Sequence, residues 1–163
     1  MAELTNLDTK IAEVIGLAQA AQGASEKIEK LVEDSELKQT LQRMRAEAIE
    51  TEQRTTVVVE NLDGKKTAIL EKARETKQEA TEMMTTYLGD DADGLDGFEF
   101  LTMAEAGEVG HWEILGTMNE QAGNSDLQEV IQWATPIQQR HFDLAREGSL
   151  QLAAEEDPNQ PAE

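Results

Sequence analysis

The chain has 163 residues, enough to bury one hydrophobic core but hardly two, so a single domain is expected. Its 34 acidic against 14 basic side chains leave a formal charge of −20, which argues against a surface built to hold DNA, RNA or anionic lipid. Cysteine is absent, which removes disulfides and thiolate metal sites. The acidic excess runs along the whole chain rather than gathering in one tail. Such a surface suits a protein solvated in high salt, where screening acts over about 3 Å at 1 M and relieves self-repulsion. The N-terminal "MAELTNLDTK" has neither the basic start nor the apolar stretch of a secretion signal. No later run approaches the ~20 apolar residues of a membrane span. These features predict a soluble, cytoplasmic protein of halophilic character with no nucleic-acid or membrane partner.

Helical periodicity runs through nearly the whole sequence and strand alternation is almost absent, so the fold class is all-α. Leu4, Leu7, Ile11, Val14, Ala18, Ala21, Ser25, Ile28 and Val32 recur three and four apart and predict a helix over 4–33. A stripe through Leu37, Leu41, Met44, Ala48, Thr51, Thr55 and Val58 predicts a second over 35–61, ended by Asn61 and Gly64. A third, over 65–88, carries Ile69, Ala73, Ala80, Met83 and Tyr87 on one side but is otherwise Lys, Glu and Thr, the composition of a helix on the outside of a bundle. "LGDDADGLDG" then breaks all periodicity and reads as a long, solvated connection. A fourth helix over 96–122 aligns Leu101, Ala104, Glu108, His111, Leu115, Met118 and Ala122, with Gly123 as its stop and Ser125 capping the next. The last helix, 126–154, aligns Leu127, Ile131, Ala134, Gln138, His141, Ala145, Gly148 and Leu152, and Pro136 in its interior predicts a kink. The domain therefore covers 1–154, followed by a disordered acidic tail at 155–163.

Most polar residues fall on outward faces, Glu13 among them, and Glu47 and Glu52 flank opposite edges of the second stripe. Glu108, His111, Gln138 and His141 are different, because helical phase puts them near the centre of apolar faces. The short turn at 123–125 makes the last two helices antiparallel neighbours, so these residues share nearly one level. Glu108, His111 and His141 make a two-His, one-carboxylate set suited to Fe(II), Zn or Mn. Gln138 would serve as a hydrogen-bonding neighbour or weak fifth ligand, and Glu52 would join only if its helix were slightly rotated. A hydrogen-bonded polar network in the core accounts for the same residues without any metal. Trp112 and Trp133 read as core packing. No Gly-rich phosphate loop, nucleophile elbow or His-Glu-x-x-His motif is present, which leaves hydrolase and kinase chemistry without support.

Two helix hairpins joined by a crossover that contains an extra helix make a ferritin-like topology. "SELKQTLQRMRAEAIETEQR" and "EVGHWEILGTMNEQAG" resemble the YciE/YciF-like branch of the ferritin-like superfamily, and "QQRHFDLA" is similar to the Glu-x-x-His helix of ferritin-like proteins generally. The resemblance spans roughly 4–150. It implies a ferritin-like antiparallel four-helix bundle with an additional peripheral helix in the crossover, an oligomer, and a carboxylate-rich di-iron centre. Gly110, before His111, and Gln138, three before His141, stand where the family pattern is acidic, so the implied centre is reduced to one ion.

The expectation is a metal-binding protein with a mononuclear Glu/His site for iron or another divalent transition metal. Its role would be iron or peroxide handling under stress, with at most weak ferroxidase or peroxide-type turnover. The competing reading is a metal-free helical module for oligomerisation or partner binding, suggested by the surplus apolar surface of Val57, Val58 and Val59. Either way a homodimer or higher homo-oligomer is expected. The charge yields a direct test. The melting temperature should rise as KCl is increased from about 0.1 to 2 M, because screening weakens acidic repulsion. A flat or falling profile by circular dichroism would remove the halophilic reading.

Overall fold

The computed structural model describes residues 2–162. They form α1 (Asn6–Glu29), α2 (Ser35–Glu60), α3 (Lys66–Tyr87), α4 (Gly94–Ala122) and α5 (Ser125–Glu155), with no strand among the described residues. The all-α class holds, and element ends are set by identifiable caps. Thr5 and Asp8 bond each other's backbone N–H groups and start α1. Asp34 accepts from the amides of Glu36 and Leu37 to start α2. In the acidic connection, Asp93 and Asp96 form a second reciprocal cap, so α4 begins at Gly94, two residues before the predicted start. Gly123 takes φ +69° to end α4, and Asn124 caps α5 through the amide of Leu127. Helix α5 continues through Pro136 and ends at Glu155. Residues 157–162 are exposed and non-helical.

Cross-helix contacts fix the directions. Glu29 meets Gln42 and Arg45, and Glu52 meets Gln19 and Gln22, so α1 and α2 run antiparallel. Thr102 meets Ser149 and Asn119 meets Gln128, which makes α4 and α5 antiparallel. Asp34 reaches Gln151 and Arg54 lies over Trp133, so α2 and α5 are antiparallel too. His111 faces Glu13 while Gly97 approaches Ile28, giving the same relation between α4 and α1. The four pairs close a ring, α1 to α2 to α5 to α4 and back. Helix α3 packs chiefly on α1 and runs parallel to it, pinned by Asp8–Lys65 (2.7 Å) at one end and by Lys27 to the Leu88 carbonyl at the other. It buries only Ala68, Ile69 and Ala73, as a mostly Lys, Glu and Thr surface requires.

The apolar interior is divided. One cluster gathers Ile11, Ile15, Val58, Val59, Ile69, Trp112, Leu115, Leu127 and Ile131 toward the end where α1 begins. The other gathers Ile28, Leu37, Leu41, Met44, Leu88, Phe98, Phe100 and Leu101 toward the end where α4 begins. Between them, the buried residues of α2, α4 and α5 are polar: Thr51, Thr55, Glu105, Glu108, Gln138 and His141. Of the three consecutive valines in "TTVVVENL", Val58 and Val59 enter the core and only Val57 stays out, at 56% exposure.

Two glycines permit the closest approaches. A Cβ on Gly16 would lie 2.4 Å from the Ala73 carbonyl oxygen, and one on Gly148 would lie 2.3 Å from the Phe98 ring. The first neighbour is backbone and cannot step aside. Gly16→Ala should therefore cost about 1–3 kcal/mol and lower Tm by roughly 3–10 °C. Gly23→Ala, in the same helix with nothing within 4 Å of the added carbon, should instead gain about 0.5–1 kcal/mol and raise Tm slightly. Thermal denaturation of the two variants side by side checks the α1–α3 contact.

Candidate functional site

The polar layer is assembled from three helices. On α5, Gln138 and His141 stand three apart on the buried face that continues through Leu127, Ile131, Ala134 and Ala145. On α4, Glu105 and Glu108 are likewise three apart, between Leu101 and Trp112. On α2, Thr51 and Thr55 are buried, but their hydroxyls donate to the carbonyls of Glu47 and Thr51 one turn back (2.8 and 2.7 Å) and bring no donor to the layer. Glu47 reaches inward from the rim of α2, its side chain 16% exposed.

Within the layer, the Gln138 amide donates to Glu105 Oε2. His141, 3% exposed, has Nε2 3.6 Å from Glu47 Oε2 and Nδ1 3.9 Å from Glu105 Oε2. Neither contact has ordinary hydrogen-bond length, and Nε2 is buried without a partner. Glu47 is engaged by Arg43 at Oε1 (2.9 Å) and by Arg140 at Oε2, the oxygen that also faces His141.

Burial dominates the electrostatics. It pushes the Glu108 carboxyl up to about 8. It raises Glu105 well above the carboxylate range too, helped by the neighbouring charge of Glu108 and opposed by the Gln138 hydrogen bond. The His141 imidazole is pushed down to about 4, again by burial, with Glu47 resisting and Arg140 assisting. At neutral pH the layer therefore holds an uncharged imidazole beside two carboxyl groups that resist ionisation. No Lys or Arg reaches either of them.

The structure draws Glu108, Gln138 and His141 into this layer but not His111. His111 points toward α1, half-exposed, with Nδ1 3.2 Å from Glu13 Oε2, and Glu13 also takes Lys10 at 2.8 Å. Glu13, expected on the solvent face, is thus held between two side chains. Glu52 accepts from Gln19 and Gln22 (2.8 and 2.6 Å) and so faces α1 rather than His141. The difference on α4 is one of phase. Its buried seam runs Phe98, Leu101, Glu105, Glu108, Trp112, Leu115 and Asn119, so Trp112 takes the place that sequence phase assigned to His111 and Glu105 the place of Ala104. Glu105 and Glu47 are the participants that sequence reasoning missed. The i, i+3 relation of Glu105 to Glu108 and the bulk of Trp112 were the available signals for the first.

Among the described residues, no group of three or more His, Asp or Glu side chains is arranged to hold a metal ion. No family model, curated protein or solved structure matches the chain.

The shifted groups give a pH signature. A carboxyl whose folded pKa is raised keeps a proton that the unfolded chain releases, so its stabilisation is full below the unfolded value and is lost as pH rises toward about 8. His141 acts oppositely, with stability lost as pH falls from the ordinary imidazole value, about 6.5, toward about 4. Between pH 6.5 and 8 only the carboxyls contribute, and stability should fall by about 1–3 kcal/mol per unit in metal-free protein. Glu108→Gln should reduce this slope, with Glu105 still contributing, and exceed the wild type in stability at pH 8. Urea unfolding across that interval checks both expectations.

Proposed function

We propose that this chain is a ferritin-like antiparallel four-helix bundle of α1, α2, α4 and α5, with α3 as the helical crossover, and that its polar layer binds one divalent transition metal ion. The closed ring of antiparallel contacts supports the architecture, as does a third helix that carries the chain back along α1 so that α2 and α4 point the same way. One observation carries the metal reading: the buried, unpartnered Nε2 of His141, with the Glu47 carboxylate beside it at 3.6 Å. An orphaned buried imidazole nitrogen is costly, and a neutral imidazole is the form that ligates. Two ligands of one ion, each about 2.0–2.2 Å away, stand roughly 3–4 Å apart. The 3.6 Å from His141 Nε2 to Glu47 Oε2 falls in that range, whereas Glu105 lies against Nδ1, on the other edge of the ring.

The residues that would hold the ion are His141, through Nε2, and Glu47, with Glu105 on the Nδ1 side of the ring. Glu108 supplies further negative charge and Gln138 steadies Glu105. Of the set expected from sequence, this keeps Glu108, Gln138 and His141 at the centre and leaves His111 with Glu13. Iron bound there would supply one-electron chemistry toward oxygen or peroxide. The protein's part is to shield the site between two apolar clusters and to present carboxylates that ionise when a cation arrives. The exposed Val57 and Ile49 of α2 support assembly as at least a homodimer, which light scattering in molar salt measures.

Titration of untagged, chelator-stripped protein with Fe(II), Mn(II) and Zn(II) tests the metal reading. One equivalent should bind and raise the melting temperature. His141→Ala should abolish binding and Glu47→Gln should weaken it at least tenfold, whereas His111→Ala should leave it within about twofold. Absence of stoichiometric binding by all three ions would overturn the proposal.

A further inference from the structure

On the side of the polar layer away from α5, a cavity of about 330 Å³ opens between α1, α3 and α4, at the small end of the range for small-molecule sites. Small residues on all three helices keep it open: Ala20, Ala21 and Ala24 on α1, Ala80 on α3, Ala104 and Gly107 on α4. Met83, Tyr87 and Met103, between 45% and 68% exposed, stand at its mouth. The rings of Tyr87 and Phe100 lie 5.7 Å apart along one wall. In this apolar lining the charged groups are Glu105 and Glu108, with His111 beside them and no Lys or Arg. Glu105 is already engaged by Gln138. Glu108 is 5% exposed and lines the cavity with no hydrogen-bond donor or cation directed at it among the described residues.

An apolar chamber ending in a carboxyl that ionises at about pH 8 and has no cation of its own is complementary, once ionised, to one kind of small molecule. Its tail must be apolar to replace water along the walls, and its head must be a hydrogen-bonding cation to pair with Glu108. A carboxylic acid ligand would add a third acid to the site. A neutral alcohol would leave the carboxylate without its counter-charge. The aromatic faces at the wall add attraction for a cationic head during entry. We infer that the cavity between α1, α3 and α4 is a binding site for a small organic ammonium ion with an apolar tail, its head group on the Glu108 carboxylate. This site shares Glu105 and Glu108 with the polar layer but takes no residue of α5, so it does not depend on a metal ion at His141.

Isothermal titration at pH 8, with chelator present and in molar KCl to suppress general attraction to the acidic surface, separates the outcomes. Hexylammonium should bind at least tenfold more tightly than hexanol, hexanoate or methylammonium. Glu108→Gln should reduce hexylammonium affinity at least tenfold while leaving hexanol unchanged. Ala80→Leu, which fills the chamber from the α3 side, should weaken both. His141→Ala, which removes the proposed metal ligand, should leave hexylammonium within twofold, so failure of the metal reading would not touch this one. Equal binding of hexylammonium and hexanol, equal binding of hexylammonium and methylammonium, retention of affinity in Glu108→Gln, or no binding at all would each overturn the inference.

Discussion

Everything central to this protein depends on placing carboxyl groups inside a helical bundle without giving them cations. A chain with 34 acidic and 14 basic side chains has few positive partners to spare, and those it has are spent at the rim. Arg43 and Arg140 hold Glu47, Arg45 holds Glu29, and Lys65 holds Asp8. Glu105 and Glu108 receive none, and the apolar clusters above and below offer no donor in their place. The layer therefore has two ways to become comfortable, by keeping protons or by acquiring a positive ligand. A structural polar core would be expected to saturate its own hydrogen bonds, as the Thr51 and Thr55 hydroxyls do. The bare Nε2 of His141 marks where this one does not.

How much of this was legible in the sequence varied by helix, for physical reasons. The buried face of α5 follows an unbroken alternation of three and four from Leu127 to Gly148, so Gln138 and His141 were placed without any knowledge of neighbours. On α4 two adjacent faces are both largely apolar, and phase alone does not choose between them. The choice is made by volume, because the Trp112 ring must go where α1 and α5 leave room, and that turns His111 outward and Glu105 inward. The partnership of His111 with Glu13 joins residues nearly a hundred positions apart and has no local signal. Glu47 was read as a rim residue, which it is by Cα position, but its long side chain reaches the interior. The capping pair Asp93 and Asp96 was hidden by the run of acidic residues around it, where every aspartate looks equally like surface.

The glycines and alanines show a similar division of labour. Gly16 and Gly148 are there for contact, since backbone and ring atoms come too close for even one added carbon. The alanines of α1 facing α3 and α4 are there for space, leaving a chamber where larger residues would have continued the core. One helix thus uses small residues for opposite purposes on successive turns, tight docking at Gly16 and an opening from Ala20 to Ala24.

Helix α3 forms the outer wall of that chamber while burying only three residues of its own. Local opening free energies follow buried apolar contact, so its amides should exchange with solvent through undocking events far below the free energy of global unfolding. The ring of α1, α2, α5 and α4 need not part for this to happen. Gly16 sits near the middle of the α1–α3 contact and the chamber lies beyond it toward Leu88, so peeling the distal half of α3 would uncover the acidic interior while the Lys65–Asp8 end stays anchored. Such undocking would widen a chamber whose mouth already stands at Met83, Tyr87 and Met103, so the looseness of α3 would set how large a molecule reaches Glu108.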